Sequence, residues 1–296
     1  MALIKFYEVI KVIYYVKEGQ NSIFQKILVK ENQCEISKVP TNVKKLEKLV
    51  EKIKKRKIEP IVLSKELKKN KKLIEYLKNY DVGICKGEWL AQYMIEDIIN
   101  YLSERKKITL ADEITILIND LTDEAKAIIK VFADKYKRIR ILTNHSERFK
   151  KIEEELYEKQ GISIIFTNNK RKALSKSNLI INLDFVEEII NQYNINENAV
   201  IISFNNQIKI KKKRFSGIVI TDYEVEFGKM DEEEALKLED ILHKQSEFSL
   251  KEIIEEKIYT QFQKLPNYNR FETTKELIEK YNLKIKELHG INGIIK

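Results

Sequence analysis

The sequence predicts an α/β protein: a doubly wound, parallel six-stranded sheet over about Glu113 to Asp222, preceded by a smaller α/β domain and followed by a helical tail. Three observations carry this. Short apolar runs closed by polar residues recur between Ile114 and Thr221, as strands buried on both faces require. Segments with apolar residues at helical spacing separate them, so each crossover is a helix. Right-handed crossovers then favour a sheet wound in both directions from its centre.

The elements follow in order. Residues 3–16 and 22–30 are rich in Ile, Val, Tyr and Phe and read as two strands joined by a turn at residues 18–21. Thr41 opens a helix with Leu46, Leu49, Val50 and Ile53 on one face and Lys44, Lys45, Lys48, Lys52 and Lys55 on the other. Ile58 to Leu63 is a strand, and Ser64 caps a helix running to about Tyr80. Asp81 to Cys85 is a short strand, and Glu88 to about Arg105 one long amphipathic helix. The polar stretch Ser103 to Lys107 marks the expected boundary. Six strands follow, at Ile114–Ile118, Ile139–Leu142, Ile162–Phe166, Leu179–Leu183, Val200–Phe204 and Ile218–Thr221. Helices fall at Asp123–Lys137, Glu147–Gln160, Arg171–Lys176 and Val186–Tyr193. The division expected is 1–105, 106–228 and a helical extension over 229–296, broken at Pro266.

Composition narrows the classes. With 43% hydrophobic residues in 296, the chain can bury the cores of two domains. Its apolar runs are too short to span a bilayer, and Met1 to Glu8 lacks the apolar stretch of a secretory signal. Cys34 and Cys85 are too few for a disulfide framework or a thiolate zinc cage, so a reduced, cytoplasmic setting is expected. His145, His243 and His289 are scattered, and no metal site is expected. The charge is uneven: residues 1–110 hold 24 Lys and Arg against 14 Asp and Glu, and the rest hold 31 against 32. An anionic partner and a merely solvated surface both account for this. The run Lys209 to Arg214 lacks the aromatic interleaving of a nucleic-acid site and reads as a solvated loop.

The candidate ligand site is a row of polar residues at strand ends. It comprises Asn119 and Asp120, then Thr143, Asn144 and His145, then Thr167, Asn168 and Asn169, then Asp184, and Asn205 with Asn206. In an open parallel sheet these positions line the crevice where ligands bind. Asparagine both donates and accepts, which suits a neutral polar ligand or a nucleoside. Helix capping and turn formation are the competing role for the same residues. In the first domain Ser64 and Lys86 hold the equivalent places, and Gly87 after Lys86 opens a helix where an anion could sit.

The segment Ile139 to Leu156, with its turn Asn144-His145-Ser146 and Arg148, resembles the second strand and helix of the shikimate dehydrogenase and glutamyl-tRNA reductase group. There an Asn-Arg-Thr-type turn contacts the adenosine end of NADP. The resemblance covers about 113–222 and implies a dinucleotide-binding, Rossmann-like plan. It also puts forward Cys85 as a nucleophile by analogy with the reductases, although their surrounding motif is missing and a small buried residue is the plainer role.

The glycine-rich turn of that plan is absent. The first strand is followed by Asn119-Asp120-Leu121-Thr122-Asp123-Glu124, where a diphosphate needs small residues and open N–H groups. Thr122 reads as an N-cap, and Asp120, Asp123 and Glu124 place the protein's own acids at the anion site. The expectation is a degenerate dehydrogenase-like protein without a cofactor, acting as a non-catalytic module for a small polar ligand or a protein partner. No catalytic residue is named. An NAD(P)-dependent oxidoreductase with an atypical NADP site and weak polyanion binding by the first domain stay open as alternatives, as does oligomerisation.

Overall fold

The computed structural model describes residues 13–16, 24–27, 34–35, 47, 50–51, 60–63, 65, 67–69, 71–106, 113–136, 138–162, 164–204, 208–229, 248–264 and 270–295. The chain forms two compact units, Met1–Trp89 with Lys229–Arg270 and Leu90–Gly228 with Phe271–Lys296. Ser103 to Lys106 is helical, and the units part between Trp89 and Leu90. The expected tail is shared, 229–270 going to the first unit and 271–296 to the second.

Among the described residues, the first unit has five strands in the order β3-β2-β1-β4-β5: β1 Ile13–Val16, β2 Phe24–Ile27, β3 Cys34–Glu35, β4 Ile61–Leu63 and β5 Ile84–Cys85. β1 pairs antiparallel with β2 and parallel with β4, and β4 runs parallel to β5. Helix α1, Lys71–Asn79, closes where Asp81 turns left-handed at φ 61. The bonds Val82 N to Leu77 O (3.0 Å) and Asp81 N to Lys78 O (2.9 Å) form the paired closure that a left-handed residue allows. Asp tolerates that conformation better than most residues. Of the helix expected from Thr41, residues 47, 50 and 51 are described and helical, and its lysine face lies outside the described residues.

The single helix expected over Glu88–Arg105 is two, α2 Glu88–Tyr93 and α3 Ile95–Lys106. Met94 N is shared between Leu90 O (3.3 Å) and Ala91 O (3.1 Å), a tightening toward three residues per turn. Tyr93, Met94 and Ile95 are all buried, and three consecutive residues cannot share one stripe of a straight helix.

The second unit carries six parallel strands: β6 Glu113–Leu117, β7 Arg138–Leu142, β8 Ile164–Thr167, β9 Leu179–Asn182, β10 Val200–Ile202 and β11 Ile218–Ile220. They lie in the order β8-β7-β6-β9-β10-β11. Counted from β6, this is the 3-2-1-4-5-6 order of the Rossmann fold, with its switch point between β6 and β9. Between them run α4 Asp123–Lys135, α5 Lys150–Gln160, α6 Lys170–Lys176 and α7 Glu187–Asn191. β9 and β10 are buried throughout, as central strands covered on both faces must be. One apolar cluster joins Leu117, Leu174, Ile180, Phe185 and Ile201 across the sheet. α5 is preceded by a 3₁₀ turn at Ser146–Phe149 and ends on Gly161, left-handed at φ 67.

The tail is not wholly helical. After α8 Leu250–Lys264 and α9 Arg270–Lys280, the chain forms β13 Leu283–Gly290 and β14 Gly293–Ile294. With β12, Asp222–Phe227, they make a small antiparallel sheet in the order β12-β13-β14. Leu283 and Ile285 are buried while Lys284 and Lys286 are exposed, so the start of this segment alternates as a strand does.

Candidate functional site at the carboxyl edge of the parallel sheet

The geometry is set at the switch point, where β6 and β9 lie side by side although 65 residues of sequence separate the groups that meet. Asp184 follows β9 and lies against the turn after β6. Its Oδ2 accepts the backbone N–H of Asn119 at 2.6 Å and that of Asp120 at 2.8 Å. The turn then closes on itself. Thr122 N donates to Asp120 O (3.0 Å), and Thr122 Oγ1 accepts Ala125 N (3.2 Å), which is the N-cap expected for α4. Acid at the anion position was expected from Asp120, Asp123 or Glu124. The carboxylate that takes these donors is Asp184, because the topology brings β9 next to β6.

The network extends along the edge. Asn119 Oδ1 accepts Asn144 N (2.9 Å), and Asn144 Oδ1 accepts the Lys170 ammonium (2.5 Å). Asp120 turns outward and pairs with Arg148 at 3.0 Å. Four of the predicted residues, Asn119, Asp120, Asn144 and Asp184, thus share one hydrogen-bonded set with Arg148 and Lys170. Thr143 and Thr167 shape their own turns, their hydroxyls accepting His145 N and Asn169 N at 3.0 Å each. Asn169 caps α6, its Oδ1 accepting Lys172 N (3.0 Å). His145 and Asn168 are exposed. Ser64, Asn205 and Asn206 lie outside the described residues. Lys86 belongs to the first unit, where it pairs with Glu88 at 3.5 Å.

Burial pushes the Asp184 carboxyl above the usual aspartate range, and the charge of Asp120 acts in the same direction. The two N–H bonds and His145 pull it down without cancelling the rise. Its second oxygen, Oδ1, is buried and meets no hydrogen-bond partner among the described residues.

One polar core residue went unread in the sequence. Asn182 ends β9 with its amide donating to Phe185 O and Ser203 Oγ, each at 2.9 Å, and its oxygen accepting Phe185 N at 2.9 Å. An asparagine closing an otherwise apolar strand was the available signal. Asn182 also lines a cavity of about 10 Å³ beside Ile95 and Phe204, room for a single water and no ligand.

In the first unit, Cys85 is buried, and its thiol is pushed well up by burial and by Glu255, Glu256 and Glu252 of α8. A thiol so disfavoured as thiolate is a packed side chain rather than the nucleophile that the reductase resemblance put forward. Gly87, at φ 77, lets the Lys251 chain pass where a Cβ would lie 2.7 Å from its Cδ. Among the described residues no group of His, Cys, Asp and Glu is placed to hold a metal ion. No helix of the described residues is long and apolar enough to cross a membrane.

No protein-family model matches the chain, and no curated protein matches it. Among solved structures it is similar to the A chain of dipicolinate synthase from Bacillus subtilis, at 10% identity over 74% of this chain and 72% of that one, with a TM-score of 0.37. It is also similar to shikimate 5-dehydrogenase from Listeria monocytogenes, solved with shikimate and NAD, at 12% identity over 62% and 74%, with a TM-score of 0.32. A third likeness is shikimate dehydrogenase from Aquifex aeolicus, at 14% identity over 62% and 72%, with a TM-score of 0.28. At these scores the likenesses carry no argument, and the fold rests on the strand order itself: a six-stranded parallel sheet wound in the Rossmann order.

Proposed function

We propose that the second unit is a Rossmann-type domain turned from dinucleotide binding to a non-catalytic role, as a module for a small polar ligand or a protein partner. The observation that carries this is the Asp184 carboxylate on the N–H groups of Asn119 and Asp120. A dinucleotide phosphate arriving at this turn meets a carboxylate already seated on its first two donors and a second one, Asp120, beside it. It also meets no glycine across 119–124, so the backbone cannot approach closely. The polar edge that remains open, with Asn144, Asn168, Arg148 and Lys170, suits a ligand that both donates and accepts hydrogen bonds.

Calorimetric titration of the full chain with NADPH and with NADH tests the proposal. The expected result is no binding tighter than about 10 μM, or roughly −7 kcal/mol. A tighter constant for either cofactor overturns it and favours an oxidoreductase with an unusual cofactor pose.

A further inference from the structure

A groove of about 380 Å³ lies at the far edge of the second unit, bordered by the terminal strand β11 and the β13–β14 hairpin. Aliphatic side chains line it from both borders, Ile210, Ile218 and Val219 from one and Ile291, Ile294 and Ile295 from the other, beside the polar Lys209 and Asn292. Ile291 and Ile294 are 45% and 55% exposed, and they lie within a few residues of each other. Gly290 lets the hairpin close against the sheet, since a Cβ there would lie 2.7 Å from Val219 O.

One border is basic, since Lys209 lines the groove. The loop whose ends line the groove carries Lys209, Lys211, Lys212, Lys213 and Arg214. It is held in place rather than merely solvated. Asn191 donates to Lys209 O (2.9 Å) and accepts Lys211 N (2.8 Å), and Glu187 accepts Lys209 N (3.1 Å) and pairs with Lys211 (2.6 Å). Of the loop's cations, Lys211 is the one with an ion pair among the described residues.

We propose that this groove docks an acidic, aliphatic peptide segment of a partner protein in extended form. The proposal rests on residues apart from Asp184 and stands whether or not the second unit binds a dinucleotide. Lys209 and the basic loop that runs on from it supply charge complementarity for carboxylates, and the aliphatic lining residues accept Leu, Ile or Val. Nucleic acid fits less well, because single strands are held by stacking and Phe215, the one aromatic lining side chain among the described residues, is half-buried.

Fluorescence anisotropy of the full chain with a labelled peptide of alternating Glu and Leu tests it. Glu–Ser and Lys–Leu peptides of the same length, a short single-stranded RNA and phosphatidylserine vesicles serve as comparators. The Glu–Leu peptide is expected to bind at least about ten-fold more tightly than either other peptide. Ile294→Asp and, separately, Lys212→Glu with Lys213→Glu should each weaken it by about ten-fold or more, while Lys151→Glu on α5 leaves it unchanged. All of these positions are exposed or loop-borne, and circular dichroism checks that the variants stay folded. Equal affinity for the three peptides, no binding up to about 1 mM, or RNA or vesicles bound in preference and insensitive to Ile294→Asp would each overturn the proposal.

Discussion

Replacing Asp184 with alanine removes the acceptor for two N–H groups at the switch point, and the cost can be worked from their surroundings. A hydrogen bond to a charged acceptor contributes about 1.5–3 kcal/mol. Asn119 is half-buried, so its donor is left poorly satisfied, whereas exposed Asp120 turns to water. The expected cost of Asp184→Ala is therefore about 2–3 kcal/mol rather than twice that. Asp184→Asn keeps an acceptor oxygen and should cost about 1 kcal/mol. Urea unfolding followed by circular dichroism measures both, as a midpoint shift at unchanged slope. The pH dependence adds a second check. Burial raises the Asp184 pKa in the folded chain above its unfolded value, so the folded state binds the proton more tightly. Between the folded value and the ordinary aspartate value, stability from this group rises as pH falls. The deficit of Asp184→Asn against wild type should thus widen from about pH 7 to about pH 4. A deficit that narrows on acidification shows that the two N–H bonds outweigh burial. Alanine within about 0.5 kcal/mol of wild type refutes the capping role altogether.

Four further outcomes are expected. Asn182→Ala removes three buried hydrogen bonds, two to Phe185 and one to Ser203, and should cost about 2–4 kcal/mol in urea unfolding, with Asn182→Asp no better at neutral pH. Asn191→Ala frees the basic loop and should speed tryptic cleavage within 209–214 by about ten-fold, against unchanged cleavage elsewhere. Hydrogen bonding to Lys211 holds the Glu187 carboxyl below its usual range, so the stability lost in Glu187→Gln should be present at neutral pH and vanish as pH falls through the lowered value. The excess of basic residues in 1–110 gives the fourth: full-length chain retained on heparin at low salt should elute earlier when Lys44, Lys45, Lys48 and Lys52 become Gln, and a chain that ignores heparin at low salt removes the polyanion proposal.

The six parallel strands were legible because burial on both faces turns each into a short apolar run, as in residues 179–181, and because caps such as Thr122 punctuate the helices. What escaped reading was non-local or locally ambiguous. Asp184 gives no sign of its role in its own neighbourhood. Its partners Asn119 and Asp120 come to it only through the reversal of strand order between β6 and β9. The candidate row was legible as a set of strand ends, but which of its residues share a network was not, since capping and ligand contact call for the same side chains. The strand β13 was hidden by its lysines, which alternate with Leu283 and Ile285 over too few residues to outweigh the helical pattern before them. The boundary was misplaced because Ser103 to Lys106 is the end of a helix, with Glu104 and Arg105 exposed, and not a linker.

The division of the chain has a consequence for its birth on the ribosome. Each unit takes a late segment as its own: α8 packs on β4 and β5, and β13 pairs with β12. At about 5–20 residues per second, β4 emerges roughly 10–40 s before the α8 segment that covers it. For that interval Ile61, Val62 and Leu63, fully buried in the finished protein, wait without their cover. The nascent chain therefore offers a timed target for chaperones. A messenger truncated after codon 228 would yield two unfinished units rather than one good domain and one missing, and its product should be degraded instead of accumulating.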